Sequence, residues 1–270
     1  MVTIDKKLGG LIPYRTVFFP GASALARALD SLKPHQIARF FWTGAKLDHS
    51  RFVVGHQTST TICIEAQRPL DAILKDMSQS TRRKLRQAEM LSDRVRIVRN
   101  GPDASRDFLA LYNNFVRSKR TGVSPISESL LRLYAASSDI FLLYLDGAAL
   151  CGHLNLLDAE AGRERLLFSA SRRFDDPETA RLCSLLNCHL HWHELRSYRE
   201  EGLSTYDLGG FSNGANTGLD RFKASFGGQL LEEHTYLCAG SPRVARGLLR
   251  LCASFGMLRR LTNGVDDRRP

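Results

Sequence analysis

Two adjoining segments carry most of the structural information in this chain: Leu203-Ser-Thr-Tyr-Asp-Leu-Gly-Gly-Phe211 and Gly218-Leu-Asp-Arg-Phe-Lys-Ala-Ser-Phe-Gly-Gly228. The first is a short apolar run that predicts a buried strand, and its glycine pair ends the strand where the backbone must turn. The second places apolar residues at helical spacing and closes with two glycines, as helices commonly do. A further strand is predicted from Gln229 to Leu237.

Asp207 and Lys223 are the candidate catalytic residues in these segments. Asp207 is predicted at the carboxyl end of a buried strand, where open α/β sheets keep their ligands, and Lys223 lies on the helix that follows. A carboxylate and an ammonium group that face one crevice either form a structural ion pair or position a substrate. The sequence leaves both interpretations open.

The same segments resemble a known family. Tyr-Asp-Leu-Gly-Gly (206–210) with Gly-Leu-x-Arg-Phe-Lys-x-Ser-Phe-Gly-Gly (218–228) is similar to the closing signature of FemAB-like acyltransferases, a branch of the GNAT (Gcn5-related N-acetyltransferase) superfamily. Residues 80–89 resemble the basic helix that introduces the acyltransferase domain in that family. The resemblance implies an α+β, GNAT-like acyltransferase fold in which helices flank a mixed central sheet. A degenerate second GNAT-like copy in the N-terminal half stays an open alternative.

The order of predicted elements agrees with that resemblance. From Arg94 onward the pattern predicts strand, helix, helix, three strands, helix, strand, helix and strand. The clearest element pair is a hairpin of 140–145 and 149–157 around Asp146-Gly147, because Asp-Gly favours a type I′ turn. Upstream, short strands, including 51–54 and 60–64, alternate with turns. We therefore predict an N-terminal region with a basic linking helix (1–90), a GNAT-like domain (91–240) and a basic amphipathic tail (241–270).

Composition indicates a globular protein with an anionic partner. The chain has 270 residues, 43% of them hydrophobic, and a formal net charge of +10. No apolar run reaches the ~18 residues that span a membrane, and the N-terminus lacks the apolar region of a secretion signal. Six cysteines without paired spacing are typical of reduced thiols. We expect a cytoplasmic protein, with a location at the inner face of the membrane left open.

The positive charge favours a phosphorylated small-molecule or lipid-linked precursor, a tRNA, or an anionic membrane surface as partner. It is concentrated in residues 82–86 and in the tail, where arginines alternate with leucines at helical spacing. The tail predicts an amphipathic helix that either packs on the body or makes a peripheral membrane contact. Solvated basic faces explain both clusters equally well.

A metal site is not expected. His189 and His193 are four residues apart on a predicted helix, beside Glu194, and so are spaced to share a metal ion. A third ligand would have to come from elsewhere, and the helix is strongly apolar. The P-loop, dinucleotide-binding, nucleophile-elbow and zincin motifs are also absent from the sequence.

The loop from Ser171 to Pro177 is predicted to join a central strand to a long helix. The resemblance implies that this turn and the helix N-terminus hold the pyrophosphate of acyl-CoA. The donor-binding candidates are Ser169, Ser171, Arg172, Arg173 and Arg181. The glycine-rich pattern usual in GNAT enzymes is missing, and three carboxylates at 175, 176 and 178 oppose the arginines. This difference suits the FemAB-like branch, whose best-known members take an aminoacyl group from tRNA.

Acyl transfer to an amine needs a held acceptor, a route for its proton and a donor to the oxyanion. Asp207 can orient the amine or accept its proton, and Lys223 matches the family lysine associated with the phosphorylated acceptor. His153, on a central strand, is a third catalytic candidate, with a structural role equally open. The candidates for substrate binding are Arg82, Arg83, Arg86, Asn155 and Tyr206.

The resemblance implies N-acyl transfer from acyl-CoA to an amino group of a phosphorylated cell-envelope precursor, such as a nucleotide-linked amino sugar of polysaccharide biosynthesis. Acyl-CoA is preferred as donor because the chain is short for a tRNA-dependent ligase and shows no inserted coiled-coil arm. Two alternatives stay open: an aminoacyl-tRNA-dependent aminoacyltransferase, and a catalytically idle GNAT-like module that binds nucleic acid or membrane.

Overall fold

A computed structural model of the chain describes residues 1–8, 11–47, 53–119, 124–212, 214 and 217–255. They form two compact units, one from Met1–Thr61 with the described residues from Leu231 onward, the other from Ile62–Leu230. The first unit joins two segments that lie far apart in the chain. The domain boundaries placed at 90 and 240 stay a prediction.

The first unit contains a mixed sheet. Its elements are β1 (Val2–Leu8), β2 (Ile12–Phe18), α1 (Ala22–Asp30), β3 (Ile37–Thr43), most of β4 (Val53–Glu65) and β10 (Gln229–Ala239), and α8 (Pro242–Phe255). The strand order is β1-β2-β3-β10-β4, with β2 and β3 parallel. The strands predicted at 51–54 and 60–64 are one strand, β4, while Arg51 and Phe52 lie outside the described residues. The prediction missed β1, in which lysines interrupt the apolar alternation.

The predicted amphipathic helix of the tail is α8. Leu248 is buried, and it packs with Val244 in a cluster that contains Tyr14 and Leu237 of the same unit. Helix α8 therefore packs on the body of its unit through this face. A peripheral membrane contact of the tail stays a prediction. The tail arginines at 259, 260, 268 and 269 lie outside the described residues.

The strands of the second unit run in mixed directions and have helices on both faces. Its elements are α2 (Leu70–Asp76), α3 (Gln79–Glu89), β5 (Val95–Arg99), α4 (Ala104–Lys119), α5 (Glu128–Tyr134), β6 (Ser138–Leu145), β7 (Ala148–Asp158), β8 (Arg163–Ser171), α6 (Pro177–Glu200), β9 (Thr205–Phe211) and α7 (Thr217–Ala224). The strand order is β9-β8-β7-β6-β5, parallel between β8 and β9 and antiparallel elsewhere. The succession agrees with the one predicted from Arg94 onward.

Strand β6 shows why the sheet is covered on both faces. Phe141 and Leu143 belong to the core cluster that includes α6, whereas Leu142 and Tyr144 belong to the cluster that includes α4. Alternate side chains of a strand point to opposite faces, so an unbroken apolar strand needs a layer on each side. The β6–β7 hairpin turns at Asp146-Gly147 with φ angles of 49° and 83°, which fits the predicted type I′ turn.

The feature that creates the site is the separation of β8 from β9. The two strands pair only from Arg163–Thr205 to Arg165–Asp207, and their later residues do not pair with each other. We call this opening the β8–β9 wedge. Gly209 lies at its narrow end with a φ of +78°, and a Cβ there would lie 2.9 Å from the carbonyl oxygen of Leu166. Glycine is therefore required for the two backbones to approach at this point.

Candidate active site

A cavity of about 900 Å³ lies in the second unit at the β8–β9 wedge. Strand residues 166, 167, 169–171 and 208–210 contribute to its walls, together with α3, α6 and α7. Helix α6 presents Ala180, Ser184, Asn187 and His191, which are three or four residues apart and so lie on one helix face. The volume is that of a typical small-molecule site.

The charged side chains that line this cavity are all basic. They are Lys84, Lys119, Arg173, Arg221 and Lys223. No carboxylate is found among the described lining residues. The cavity therefore favours an anionic ligand.

An apolar edge completes the lining. The rings of Phe115 and Phe174 are 5.5 Å apart, and Phe174 is 46% exposed. Leu219 on α7 also lines the cavity and is 43% exposed. The cavity thus combines basic groups with an apolar edge.

A buried hydrogen-bonded chain of side chains starts at His191. Its Nδ1 lies 2.7 Å from Oη of Tyr206, and the Tyr206 hydroxyl donates to Oε2 of Glu194, also at 2.7 Å. The other carboxylate oxygen of Glu194 lies 2.9 Å from Nδ1 of His153. His153 Nε2 lies 3.0 Å from the side-chain amide of Asn187. We call His191, Tyr206, Glu194 and His153 the relay.

The hydrogen bonds of the relay determine the tautomer of His191. The Tyr206 hydroxyl has one proton and uses it to donate a hydrogen bond to Glu194. Its oxygen therefore accepts a hydrogen bond from Nδ1–H of His191. In the neutral imidazole, Nε2 is then an acceptor. No hydrogen-bond partner for this Nε2 occurs in the described part of the chain. His191 therefore offers a free lone pair in a residue that lines the cavity.

The electrostatic environment keeps His191 neutral. Burial lowers its pKa well below 6.5, and the nearby His153 and Lys223 lower it further. A neutral imidazole at physiological pH is the form that accepts a proton. The relay thus presents a base whose orientation is set by Tyr206 and Glu194.

Lys223 is the second unusual titratable group in the cavity. Its ammonium group donates to the carbonyl oxygen of Gly210 at 2.6 Å. Burial, and after it the charge of Arg165, lower its pKa to about 8, although the Asp207 and Asp220 carboxylates oppose this shift. The lysine therefore titrates close to physiological pH. The sequence-based prediction had placed this residue in the site, and the structure places it in the cavity lining.

Asp207 has a different environment from the one expected beside Lys223. It is fully buried on β9 and does not line the cavity. Its carboxylate accepts from the guanidinium groups of Arg163 and of Arg165, the latter at 3.0 Å, and from the backbone N–H of Gly209 at 2.8 Å. These bonds give it a structural role, with the ion pair made to arginines rather than to Lys223. Direct participation in catalysis stays a prediction.

The remaining sequence-based candidates are divided between several places. Ser169, Ser171 and Arg173 line the cavity with Lys223. His153 and Tyr206 are buried relay members behind His191, and Asn155 is fully buried in β7. Arg83 and Arg181 line a second cavity, whereas Arg82, Arg86 and Arg172 line neither. The catalytic, donor-binding and substrate-binding roles given to these residues stay predictions.

The loop predicted to hold the donor pyrophosphate already has carboxylates of its own. Asp176 caps α6, where its side chain accepts from the backbone N–H of Thr179 at 2.8 Å and from the Thr179 hydroxyl at 2.6 Å. Arg172 is paired with Asp175 at 2.7 Å. Arg173 donates to the Ser171 hydroxyl at 3.0 Å and is the one arginine of this loop in the cavity lining. The carboxylate of Asp176 therefore already accepts a backbone hydrogen bond at the N-terminus of α6.

Histidines with metal-ligand spacing occur at two places on α6. His189 and His193 do not line the cavity, and the ring of His193 meets the edge of Phe141. A different trio, His153, His191 and Glu194, brings one ligand atom each within 4.8 Å of one another. The relay hydrogen bonds account for this arrangement, so it requires no metal ion. Absence of a metal in the working protein stays a prediction.

Four residues at the site are not predicted from the sequence: His191, Glu194, Asn187 and Lys84. The metal-ligand spacing of the histidine cluster points only to the pair at 189 and 193. A usable signal was present in Ser184, Asn187 and His191, polar residues that recur at helical spacing on an otherwise apolar helix. Such a stripe indicates a face that meets polar groups or a ligand rather than the core.

Comparison with known proteins gives a family match and a set of fold matches. The sequence profile of the acetyltransferase (GNAT) domain matches residues 75–224, more than half of the chain. The structure of FemX aligns over 92% of this chain and 85% of its own, with a TM-score of 0.63 and 16% identity. The search of curated proteins gave no match.

Two further structures have a similar fold. The C-terminal domain of a putative lysylphosphatidylglycerol synthetase from Agrobacterium fabrum aligns over 89% of this chain and 82% of its own, with a TM-score of 0.52 and 11% identity. A conserved protein of unknown function from Bacteroides thetaiotaomicron aligns over 85% of this chain and 80% of its own, with a TM-score of 0.54 and 11% identity.

In the described part of this chain, no helix has the length and apolar character needed to cross a membrane.

Proposed function

Because the chain belongs to the acetyltransferase (GNAT) domain family, we propose that it transfers an acyl group from acyl-CoA to the amino group of a phosphorylated acceptor, with His191 as the base. The observation that carries this proposal is the neutral imidazole of His191, which lines the cavity while its Nδ1 is held by Tyr206. The family match confirms the predicted GNAT acyltransferase, and the match to the FemX structure confirms the predicted α+β fold.

The proposed reaction uses the two cavity groups in different ways. The acceptor nitrogen attacks the thioester carbonyl carbon, a C–N bond forms, and the carbonyl electron pair moves onto oxygen. His191 Nε2 takes a proton from the nitrogen, and the Lys223 ammonium stabilises the negative oxygen. When the intermediate collapses, the C–S bond breaks and the CoA thiolate receives the proton that His191 holds.

The relay supports this role because it orients His191 and places a carboxylate beside the imidazolium that forms. As the imidazole takes a proton, Nδ1–H remains bonded to Tyr206, whose own proton is directed to Glu194. The carboxylate of Glu194 lies 3.8 Å from Nδ1 and stabilises the imidazolium that forms. General-base catalysis of this kind typically contributes a factor of about 10² to 10⁴ in rate.

The basic lining supports a phosphorylated acceptor. Five cations and no carboxylate line the described cavity, and electropositive walls concentrate anionic ligands. A nucleotide-linked amino sugar combines phosphate groups with an amine, and it is the cell-envelope precursor class that we would test first. The apolar edge formed by Phe115, Phe174 and Leu219 is suited to an acyl chain or a flat base.

A second candidate donor, an aminoacyl-tRNA, is favoured by one specific observation. The N-terminus of α6 is capped by Asp176 and Arg172 is paired with Asp175, so these groups are not free for a CoA pyrophosphate. A net charge of +10 also suits a polyanionic donor. The acyl-transfer chemistry at His191 is the same for a thioester and for an aminoacyl ester.

The test is a transfer assay with matched histidine variants. Wild-type protein, His191→Gln and His189→Gln are assayed with acetyl-CoA and a panel of nucleotide-linked amino sugars, following thiol release. In parallel, transfer from radiolabelled aminoacyl-tRNA to the same acceptors is measured. We expect kcat of His191→Gln to fall by about 100-fold or more with KM little changed. His189→Gln, on the same helix but outside the cavity, should stay within about threefold of wild type.

Melting curves of both variants show whether either substitution disturbs the fold. A folded His191→Gln protein with wild-type turnover would overturn the assignment of the base. Turnover with aminoacyl-tRNA and none with acetyl-CoA would replace the preferred donor by the second candidate. Absence of transfer with every donor and acceptor would contradict the proposed function.

A further inference from the structure

A second cavity, of about 750 Å³, lies between helices α3 and α6 of the second unit. We call it the α3–α6 groove. Arg83, Lys84 and Arg181 contribute basic side chains from the two helices that flank it. Nothing in the proposed reaction uses this groove.

The groove is lined by more basic than acidic side chains. Arg94 also lines it, but this arginine is paired with Asp146. Glu178 is the one carboxylate among the described lining residues. Arg83 and Arg181 make no hydrogen bond or ion pair with any residue that the structure describes. Two guanidinium groups on neighbouring helices are thus available to an external anion.

The groove also has apolar walls. Leu182 and Leu185 of α6 line it, and Met90, at the end of α3, is 85% exposed. A solvated basic helix face does not need an apolar depression between its arginines. Basic groups around apolar side chains are suited to a ligand that combines phosphate with a less polar portion, as a nucleotide does.

The groove adjoins the cavity at the β8–β9 wedge. Lys84 and Ser184 line both, and Lys84 donates to the Ser184 hydroxyl at 2.8 Å. A ligand whose phosphate lies at Arg83 and Arg181 can therefore extend past Lys84 toward His191. The ammonium group at the junction adds a third positive charge along that route.

The geometry points to the α3–α6 groove as a binding site for a pyrophosphoryl group carried by one of the two substrates, with Arg83 and Arg181 as its ligands. The inference rests on the proposed acyl transfer, since it assigns the groove to a substrate of that reaction. Guanidinium groups bind phosphate oxygens with paired, charge-assisted hydrogen bonds, which explains arginine at both positions. Two candidate substrates carry a pyrophosphoryl group: a nucleotide-linked acceptor and CoA.

Calorimetric titration at 150 mM NaCl shows which of these two substrates binds in the groove. UDP and free CoA, each of which carries a pyrophosphate, are titrated into wild-type protein, an Arg83→Gln/Arg181→Gln double variant and a Lys75→Gln/Arg196→Gln double variant. The second double variant also removes two positive charges, from exposed positions of α2 and α6 that line neither cavity. We expect the affinity of one ligand to fall about tenfold or more in the first variant and by less than about twofold in the second.

The ligand whose affinity falls identifies the substrate that carries the pyrophosphate. Equal losses in both double variants, or no binding of either ligand to the wild type, would overturn the inference. Titration of His191→Gln under the same conditions keeps this result separate from catalysis. If His191→Gln still binds the ligand and this binding depends on Arg83 and Arg181, the groove is a binding site even if every transfer assay fails. If neither ligand binds to the groove, the inference is wrong even if transfer is observed.

Discussion

The hydroxyl oxygen of Tyr206 lies 2.7 Å from Nδ1 of His191, so a tyrosine on β9 fixes the orientation of a histidine on α6. The same hydroxyl donates to Glu194, three residues further along α6 from His191. This hydrogen bond leaves Nε2 of His191 as the acceptor atom in a residue of the cavity wall. A side chain that does not line the cavity thereby sets the tautomer of one that does.

Replacing Tyr206 by phenylalanine should impair catalysis through His191. The variant removes the acceptor for Nδ1–H and the donor to Glu194 but keeps the ring in the core. We expect kcat to fall by about 10- to 100-fold with KM little changed, and the loss to be far from additive in the Tyr206→Phe/His191→Gln double variant. Steady-state kinetics of the three variants measure this. Tyr144→Phe, which loses a bond to Asp107 outside the cavity, is the control and should retain wild-type kcat.

The pH dependence of turnover should report Lys223. Its pKa of about 8 means that the ammonium group loses its proton as pH rises, so kcat should decline as pH rises through about 8. Lys223→Arg keeps the charge at high pH and should remove this decline. Lys119→Arg, in the same cavity lining, should leave the decline in place. On the acid side, the lowered pKa of His191 should preserve activity below pH 6.5.

The narrow end of the wedge should tolerate only glycine at position 209. Gly209→Ala places a Cβ 2.9 Å from the Leu166 oxygen and forces alanine to a φ of +78°. We expect a loss of about 1–3 kcal/mol in the free energy of unfolding, measured by urea denaturation. Gly210→Ala is the matched control, because a Cβ there meets nothing within 4 Å and should cost less than about 0.5 kcal/mol. Equal losses in the two variants would contradict the steric argument.

Asp207→Asn should affect stability more than chemistry. It removes the negative charge that Arg163 and Arg165 share in the interior, and breaking a buried ion pair typically costs about 3–5 kcal/mol. We expect a large fall in melting temperature, whereas the folded fraction at low temperature keeps kcat within a few-fold of wild type. A folded Asp207→Asn protein with kcat reduced by more than about 100-fold would instead support the catalytic role predicted from the sequence.

Glu164 should make stability depend on pH. Burial, and after it the charges of Glu194 and Asp207, raise its pKa well above 4.5. The folded protein therefore keeps the proton on this carboxyl to a higher pH than the unfolded chain, which loses it near pH 4.5. The resulting stability is fully present below that pH and is lost as pH rises toward the folded pKa. Glu164→Gln should remove this loss.

We expect the melting temperature of Glu164→Gln to exceed that of wild type by about 2 °C or more at pH 8, with the difference shrinking toward pH 5. Differential scanning calorimetry across this range measures the effect. Glu65→Gln, an exposed carboxylate of β4, should follow the wild-type pH dependence. A constant offset between Glu164→Gln and wild type at all pH values would show that titration is not the cause.

Local patterns in the sequence determined the elements of the second unit. The Asp146-Gly147 pair specified a turn with two positive φ angles, and the observed values of 49° and 83° agree with it. The segments around Asp207 and Lys223 formed the expected strand β9 and helix α7. Such signals act over a few residues, where turn chemistry and apolar periodicity restrict the backbone directly.

The chemistry of the site was decided by tertiary packing. His153 and Glu194, separated by 41 residues, meet because β7 and α6 pack face to face, and Tyr206 joins them from β9. The sequence offered Lys223 as the partner of Asp207, yet the register of β8 against β9 brings Arg163 and Arg165 to that carboxylate instead. Periodicity specifies which face a side chain occupies, but its partners depend on segments that are remote in the chain. That is why the sequence by itself determined the GNAT-like fold and the place of Lys223, whereas only the tertiary structure decided that His191 lines the cavity with its Nδ1 held by Tyr206.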